Sequence, residues 1–351
     1  MAFGKKQSLV GLDIGSHSVK LAEVESQANK GHRLVNWGIS APLAEAIVDG
    51  EIMDRQLVVD AISNLLESRG IRTRNVAAAV SGRAVIVKKI TMNRLSAADA
   101  QQAVYWEAEQ HVPYDINDVS LDFEILGPVP TDPKQMQVLL VAAKKDMVMS
   151  FGDLIREAGL HPVIVDVDSF ATQNALEANY PFGPEEVVAA VNIGAEITNI
   201  NITQAGVPYF TKDLQFGGNT LIDAVQRKFN LSQGEAAAAV RGDSQPGLEI
   251  APVIEQACES LATALERAQA YLRTAGESGS VTRIMMCGGS ALTPVLPEFL
   301  GRRFGVSTEI ANPLSRVAYD PALFAGQDVM RVAPLLTVGI GLALRRLGDK
   351  K

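Results

Sequence analysis

The sequence is short of cysteine, of long apolar runs and of positive charge. Its 351 residues include only Cys258 and Cys287, which excludes a disulfide framework and a cysteine-rich zinc site. So few cysteines fit a reducing compartment. His17, His32, His111 and His161 show no metal-binding spacing of the HExxH kind. Basic residues number 32 against 40 acidic ones, a net charge of −8. That excludes a globally basic nucleic-acid binder and gives no general attraction to anionic lipid. The longest apolar stretch, Val332 to Leu344, contains Pro334, Gly339 and Gly341. It falls short of the roughly 20 residues a spanning helix needs, so it is expected to be a buried core element. Met1 to Gln7 carries two lysines and no apolar core, so no signal peptide is expected. The expected location is the cytoplasm, with any membrane association made through a partner.

What the sequence does have is a repeat. Leu9-Val10-Gly11-Leu12-Asp13-Ile14-Gly15, running on through Ser16-His17-Ser18-Val19-Lys20-Leu21, returns as Ala189-Ala190-Val191-Asn192-Ile193-Gly194 and Ala195-Glu196-Ile197-Thr198. Asp13-Ile14-Gly15 and Asn192-Ile193-Gly194 stand 179 residues apart, about half the chain. Each copy reads as an apolar strand, a turn at glycine and a returning strand, and each continues into a third strand through Asn29-Lys30-Gly31 or Gln204-Ala205-Gly206. Helical patterns follow. Leu57, Val58, Ala61, Ile62, Leu65 and Leu66 share one helical face, with Gly70 as a stop, and strand Val76 to Val80 comes next. The shared order predicts a duplicated α/β domain.

A strand-helix-strand-strand block over roughly 76–145 interrupts the first half. Its helix opens at Ser96 with a capping box to Asp99, and its strands are predicted at Val119 to Leu126 and Val138 to Ala143, with Pro128, Pro130 and Pro133 marking a loop between them. Trp106 is expected to pack that helix on its sheet. The first half then resumes with helix Met147 to Ala158, Gly159 as its stop, and strand Val163 to Val167. In the second half Ser232 and Glu235 form another capping box. A loop is read at Ser244 to Gly247, and the helix-rich region runs to about Ala275. Ile254, Cys258, Leu261, Leu265, Ala268 and Leu272 line one face of a long helix.

The turns carry the chemistry. Gly15 lets backbone approach a bulky anion, and the N–H groups of Ser16, His17 and Ser18 can then form an anion nest. Ser16 and Ser18 add hydroxyls, Lys20 adds charge for a β- or γ-phosphate, and Asp13 is the candidate Mg²⁺ ligand, through water. Gly194, with Ala195 and Glu196, offers a second such turn from the opposite half. Gly217-Gly218-Asn219 and Gly288-Gly289-Ser290 each follow a strand, where a helix N-terminus favours anions. Two Asp/Asn-x-Gly turns and two Gly-Gly turns describe a nucleotide cleft between related halves.

In this order the motifs resemble the actin and sugar-kinase superfold. The segment Ala103-Val104-Tyr105-Trp106-Glu107-Ala108-Glu109-Gln110-His111-Val112-Pro113-Tyr114, with Leu121 to Gly127, Val141 to Lys145, Glu157 to Leu160 and Val165 to Ala171, narrows the resemblance. Over about residues 8–346 the chain is similar to the PilM family of the type IV pilus assembly machine. The resemblance implies an α/β, actin-like pair of ribonuclease H-like halves with a small α+β subdomain inserted. Subdomain 1A would be 1–75 with 146–180, 1C would be 76–145, 2A would be 181–230 with 276–351, and 2B would be 231–275. It implies ATP with Mg²⁺ between the halves. It also implies a PilN-like inner-membrane protein whose N-terminal peptide docks in the 1A/1C groove, and a link to the pilus motor apparatus. No nucleic acid is implied, and a homo-oligomer or ring stays open.

Some positions depart from the family pattern. Asn192 replaces the usual Asp of the second turn, and an amide is neither a base nor a charged Mg²⁺ ligand. Asp168 matches the connecting motif and is the remaining candidate to position water. Glu235 stands where relatives contact ribose, with the capping box as the other reading. The usual lysine of that helix is missing, and Arg241 follows one residue later. These changes weaken turnover of ATP more than binding of it. Two alternatives are a division-type filament protein resembling FtsA, which the solvated basic end Arg345, Arg346, Lys350 and Lys351 does not favour, and a small-molecule kinase, which Asn192 and the insertion do not favour.

Overall fold

The computed structural model describes residues 9–27, 31–43, 45–48, 50–129, 131–243, 249–274 and 279–346. Met1 to Gln7, Asn29, Lys30, Pro130, the loop Ser244 to Gly247, Ala275, Lys350 and Lys351 lie outside the described residues.

The first half opens with the meander β1 (Val10–Ile14), β2 (Val19–Gln27) and β3 (Gly31–Ile39), then the short pair β4 (Ile47–Val48) and β5 (Glu51–Ile52). Helix α1 (Arg55–Ser68) starts at Asp54, whose carboxylate accepts the Leu57 N–H, and buries Val58, Ile62, Leu65 and Leu66. Leu57 is exposed rather than on the buried face, because a 3.6-residue period turns it toward solvent. Strand β6 (Asn75–Val80) runs parallel to β1. An insertion follows: β7 (Val85–Asn93), α2 (Ala97–Glu109), β8 (Val119–Val129) and β9 (Asp132–Lys144). The half is completed by α3 (Lys145–Glu157), β10 (His161–Val167) and α4 (Asp168–Asn179).

The second half repeats the plan with β11 (Val187–Ile193), β12 (Ile197–Gln204) and β13 (Val207–Gln215), then helices α5 (Gly218–Phe229), α6 (Gln233–Val240), α7 (Ala251–Ala257) and α8 (Glu259–Thr274). The long helix expected through Cys258 is two helices broken at that residue, although its apolar face is buried as expected. Strand β14 (Arg283–Cys287), α9 (Val295–Phe304) and β15 (Ser307–Ile310) complete the sheet. The strand orders are β10-β6-β1-β2-β3 and β15-β14-β11-β12-β13, with the same pattern of parallel and antiparallel pairs. The duplication read from the two turns therefore extends to whole sheets.

Three boundaries differ from the sequence reading. Val76 to Val80 belongs to the main sheet, between β1 and β10, so the insertion begins near Gly82 and its first strand is β7. Pro128 and Pro133 lie within β8 and β9, not in a loop. β8 is an edge strand of the order β7-β9-β8 and tolerates the proline. The end of the chain does not stay with the second half. Strand β16 (Val317–Tyr319) pairs in parallel with β3, and after α10 (Val329–Val332) the helix α11 (Thr337–Ala343) packs on β1, β2, β6 and α4. Residues 317–343 thus return to the first sheet, which corrects the expected 276–351 assignment. The reason is steric: α11 consists of small and apolar residues, all buried, and it crosses Gly11 and Ala171 at backbone contact. Val332 to Leu344 is a core element, as its length predicts.

In the insertion, Ala100, Val104 and Ala108 of α2 cover Ile90, Met92, Met136, Val138 and Leu140. Trp106 lies on the opposite face and is 66% exposed. The expectation that it packs on the sheet is wrong, since the small residues at spacing four already fill that interface. The second sheet buries Ile200 and Ile202 against α5 to α9 and turns Asn199, Asn201 and Thr203 the other way. There α4 lies against it, with Asn201 donating to Gln173 Oε1 at 3.1 Å and to the Ser169 carbonyl at 3.3 Å. The contact between the halves is part polar and part apolar, since Leu176 of α4 packs on Val188, Ala190, Met285 and Cys287 of the second sheet, and each half also has its own apolar core.

Candidate functional site

Each repeat turn closes through the same bond. Gly15 N–H donates to the Ser18 carbonyl at 3.2 Å, and Gly194 N–H donates to the Ile197 carbonyl at 3.0 Å. In the first turn Lys20 faces Asp13 across the strands. Its ammonium lies 3.3 Å from Asp13 Oδ2 and donates to the Ser18 carbonyl at 3.2 Å. A Cβ on Gly15 would stand 3.0 Å from Lys20 Nζ, so glycine leaves the room in which the lysine folds over the turn. Among the described residues none accepts from the N–H groups of Ser16, His17 or Ser18. Three such donors stand in the chain segment beside the Lys20 ammonium.

The second turn has the same shape and a different use. The Gly194 carbonyl accepts from the Gly218 N–H at 3.0 Å and from Ser290 Oγ at 2.8 Å, and the Ala195 carbonyl accepts from the Asn219 N–H at 2.9 Å. A Cβ on Gly217 would lie 2.5 Å from the Ala195 carbonyl and 2.7 Å from the Glu196 nitrogen, and one on Gly288 would lie 2.4 Å from the Ile193 carbonyl. Gly194, Ala195, Glu196, Gly217, Gly218, Asn219, Gly288 and Ser290 therefore meet in one place. Gly289 stands aside, nearest to Leu335. The first N–H groups of α5 and the Ser290 hydroxyl, read from sequence as phosphate contacts, are engaged in bracing this turn.

Asp168 opens α4, close to Asp13, Lys20, Ser81 and Asp213. Its carboxyl is pushed up to about 7, chiefly by burial and then by the charge of Asp13. Asp213 adds to the rise, while a hydrogen bond from Ser81 and the charge of Lys20 oppose it. Asp213 has no motif around it in the sequence; only its place in the register of β13 opposite Asn199 marks it. Burial raises its carboxyl as well, against hydrogen bonds from Asn199 and the Gly82 N–H. Asn192 is bonded at both ends of its amide. Nδ2 donates to Asn199 Oδ1 at 2.9 Å, and Oδ1 accepts from Cys287 Sγ at 3.7 Å. The Cys287 thiol is itself pushed up to about 12 by burial, so it is no nucleophile.

Two expected residues stand at the margin. His17 is held below the usual imidazole range by partial burial, then by Lys20 and Arg241, so Arg241 faces the first turn electrostatically. Glu235 is committed to its helix. Its Oε2 accepts from the Ser232 N–H at 2.9 Å and from Ser232 Oγ at 2.6 Å, so the capping reading is the one present. Among the described residues no group of three His, Cys, Asp or Glu side chains is arranged to hold a metal ion.

Two halves of one strand order, each with a glycine turn of the same shape after its first strand, define the actin-like class of α/β proteins. The fold is shared with the ethanolamine utilization protein EutJ from Carboxydothermus hydrogenoformans (TM-score 0.58, 16% identity, over 96% of this chain and 89% of that one). It is shared too with MreB5 of Spiroplasma citri bound to AMPPNP (TM-score 0.53, 15% identity, over 96% and 95%). Likeness is far greater to the PilM–PilN type IV pilus biogenesis complex, with a TM-score of 0.86 and 29% identity over 98% of this chain and 100% of that one. The family described as type IV pilus assembly protein PilM matches residues 11–347, and the chain belongs to that family. Among the described residues no helix is long and apolar enough to cross a membrane.

Proposed function

We propose that this protein is a nucleotide-binding scaffold of the type IV pilus assembly machine. Mg²⁺–ATP sits between the halves and is turned over slowly. The N-terminal peptide of a PilN-like inner-membrane protein docks between the first half and the insertion. Through that peptide the chain is held at the membrane and connects the membrane frame to the pilus motor. One observation carries the nucleotide reading: the unengaged N–H groups of Ser16, His17 and Ser18 lie beside Lys20. These would hold the phosphates, with Asp13 on the cation side. The bound Mg²⁺ would supply charge neutralisation at the phosphates. Slow turnover follows from the amide at Asn192, which is bonded within its own sheet and carries no charge. Asp168 is left as the one group near neutrality to orient or accept a proton from water. The peptide reading is supported by family membership and by the likeness to a PilM–PilN complex.

The test is phosphate release at saturating Mg²⁺–ATP, with and without the PilN-like peptide, alongside calorimetric binding of both. The expected result is binding of each ligand with a rate far below the roughly 1–10³ s⁻¹ typical of enzymes. A rate that climbs to about 1 s⁻¹ with peptide would replace the scaffold by a partner-triggered ATPase.

A further inference from the structure

One row of side chains crosses the second sheet from the turn at Gly194 toward the insertion. Asn192, Asn199 and Asp213 are direct cross-strand neighbours on β11, β12 and β13. Asn192 Nδ2 donates to Asn199 Oδ1 at 2.9 Å, and Asn199 Nδ2 donates to Asp213 Oδ1 at 2.8 Å. The other oxygen of Asp213 leaves its own half and accepts the N–H of Gly82. Gly82 is the point where the chain enters the insertion. It holds a φ of +94°, its carbonyl accepts from the Val85 N–H, and the exit residue Lys144 donates to the neighbouring Ala84 carbonyl at 3.1 Å. A second contact runs beside the first: Lys89 Nζ of β7 lies 3.9 Å from the centre of the Tyr209 ring on β13. A hydrogen bond to an ionised acceptor is stronger than a neutral one, and here it joins two bodies with separate apolar cores.

We propose that Asp213 is a clasp: it ties the second half to the pivot of the inserted subdomain and passes the state of the Asn192 turn to that subdomain. The row has two ends with different exposure to change. At one end Asn192 sits in the strand that leads into the Gly194 turn, so a ligand that shifts this turn shifts the amide. At the other end Gly82 can rotate the insertion about its two crossing strands. Asp213 is a positioning residue, since it acts on the site through Asn199 and touches no ligand. The coupling rests on the nucleotide reading above, whereas the clasp itself needs no ligand.

The test is amide hydrogen exchange at Gly82 and across 82–93 in the full chain, with and without Mg²⁺–AMPPNP, with binding followed by calorimetry on the same samples. In the wild type, Gly82 is expected to be protected and AMPPNP to change exchange across 82–93. Asp213→Asn should speed exchange at Gly82 about tenfold or more, the loss of one charge-assisted bond, and should abolish the response to AMPPNP. Asn199→Ala, which cuts the row but leaves the bond to Gly82, should keep the protection and lose the response. Unchanged exchange at Gly82 in folded Asp213→Asn would overturn the clasp, and bound AMPPNP that leaves 82–93 unchanged in the wild type would overturn the coupling. Absence of AMPPNP binding would instead sink the nucleotide reading, and the ligand-free comparison would still decide the clasp.

Discussion

Asp168 shows what a single buried carboxyl costs the fold. Below about pH 4 both the folded and the unfolded chain hold its proton. Between that pH and about 7 the unfolded chain has released the proton while the folded protein retains it. The folded state binds more protons in this window, so the contribution of Asp168 to stability is full below it and is lost as pH rises through it. Asp168→Asn should remove this loss and be more stable than the wild type at pH 8, by on the order of 2 kcal/mol, with little difference at pH 4. Urea unfolding at the two pH values measures it, and an equal slope in both proteins would show that Asp168 ionises normally. Asp168 was legible in the sequence because a family motif surrounds it. Asp213 was not, because its role comes from register across three strands and from a bond to a residue 131 positions away. Trp106 was misread because a lone aromatic on a helix says nothing about which face the small residues have already filled.

The helix α11 inverts an ordinary rule about glycine. In a solvent-facing helix Gly→Ala stabilises by about 0.5–1 kcal/mol. A Cβ on Gly341 would stand 1.7 Å from the Ala171 carbonyl, and one on Gly11 would stand 1.8 Å from the Gly339 carbonyl, so α11 and its neighbours would have to separate. Gly341→Ala is expected to cost about 3 kcal/mol or more. Gly234 near the start of α6 has nothing within 4 Å of its missing Cβ, and Gly234→Ala should be neutral or stabilising by about 0.5 kcal/mol. Urea midpoints of the two variants test the contrast, and similar losses in both would mean that α11 can move away freely. The same close packing explains what the sequence left hidden at this scale. Strands, caps and the repeat are local patterns and were readable. The return of β16 and α11 to the first sheet is decided by which groove accepts a helix of small residues, and no local period reports that.

At the scale of the whole molecule the insertion is a module attached by its two ends. Val85 faces Ala143 in register and Lys144 N–H donates to the Ala84 carbonyl, so entry and exit lie one strand spacing apart. Its core is its own, built from Ile90, Met92, Val104, Met136, Val138 and Leu140. A small apolar cluster of Val80, Ala143 and Phe151, with Val85 and Met147 against it, packs it on the first half, and Lys145 Nζ donates to the Asn117 carbonyl at 2.6 Å. Joining Arg83 to Lys145 through an Asn-Gly link should therefore leave a chain that unfolds cooperatively, with a modest fall in melting temperature as Phe151 gains exposure. The two repeat turns and the residues that brace them remain, since none of them lies within the excised segment. Such a chain should bind Mg²⁺–AMPPNP and fail to bind the PilN-like peptide, because one wall of the proposed groove would be gone. Calorimetry with both ligands, beside a melting curve, checks the division of labour. Retained peptide affinity would move the partner site wholly onto the first half. Loss of nucleotide binding in a folded chain would mean that the insertion completes the cleft as well as bordering the groove.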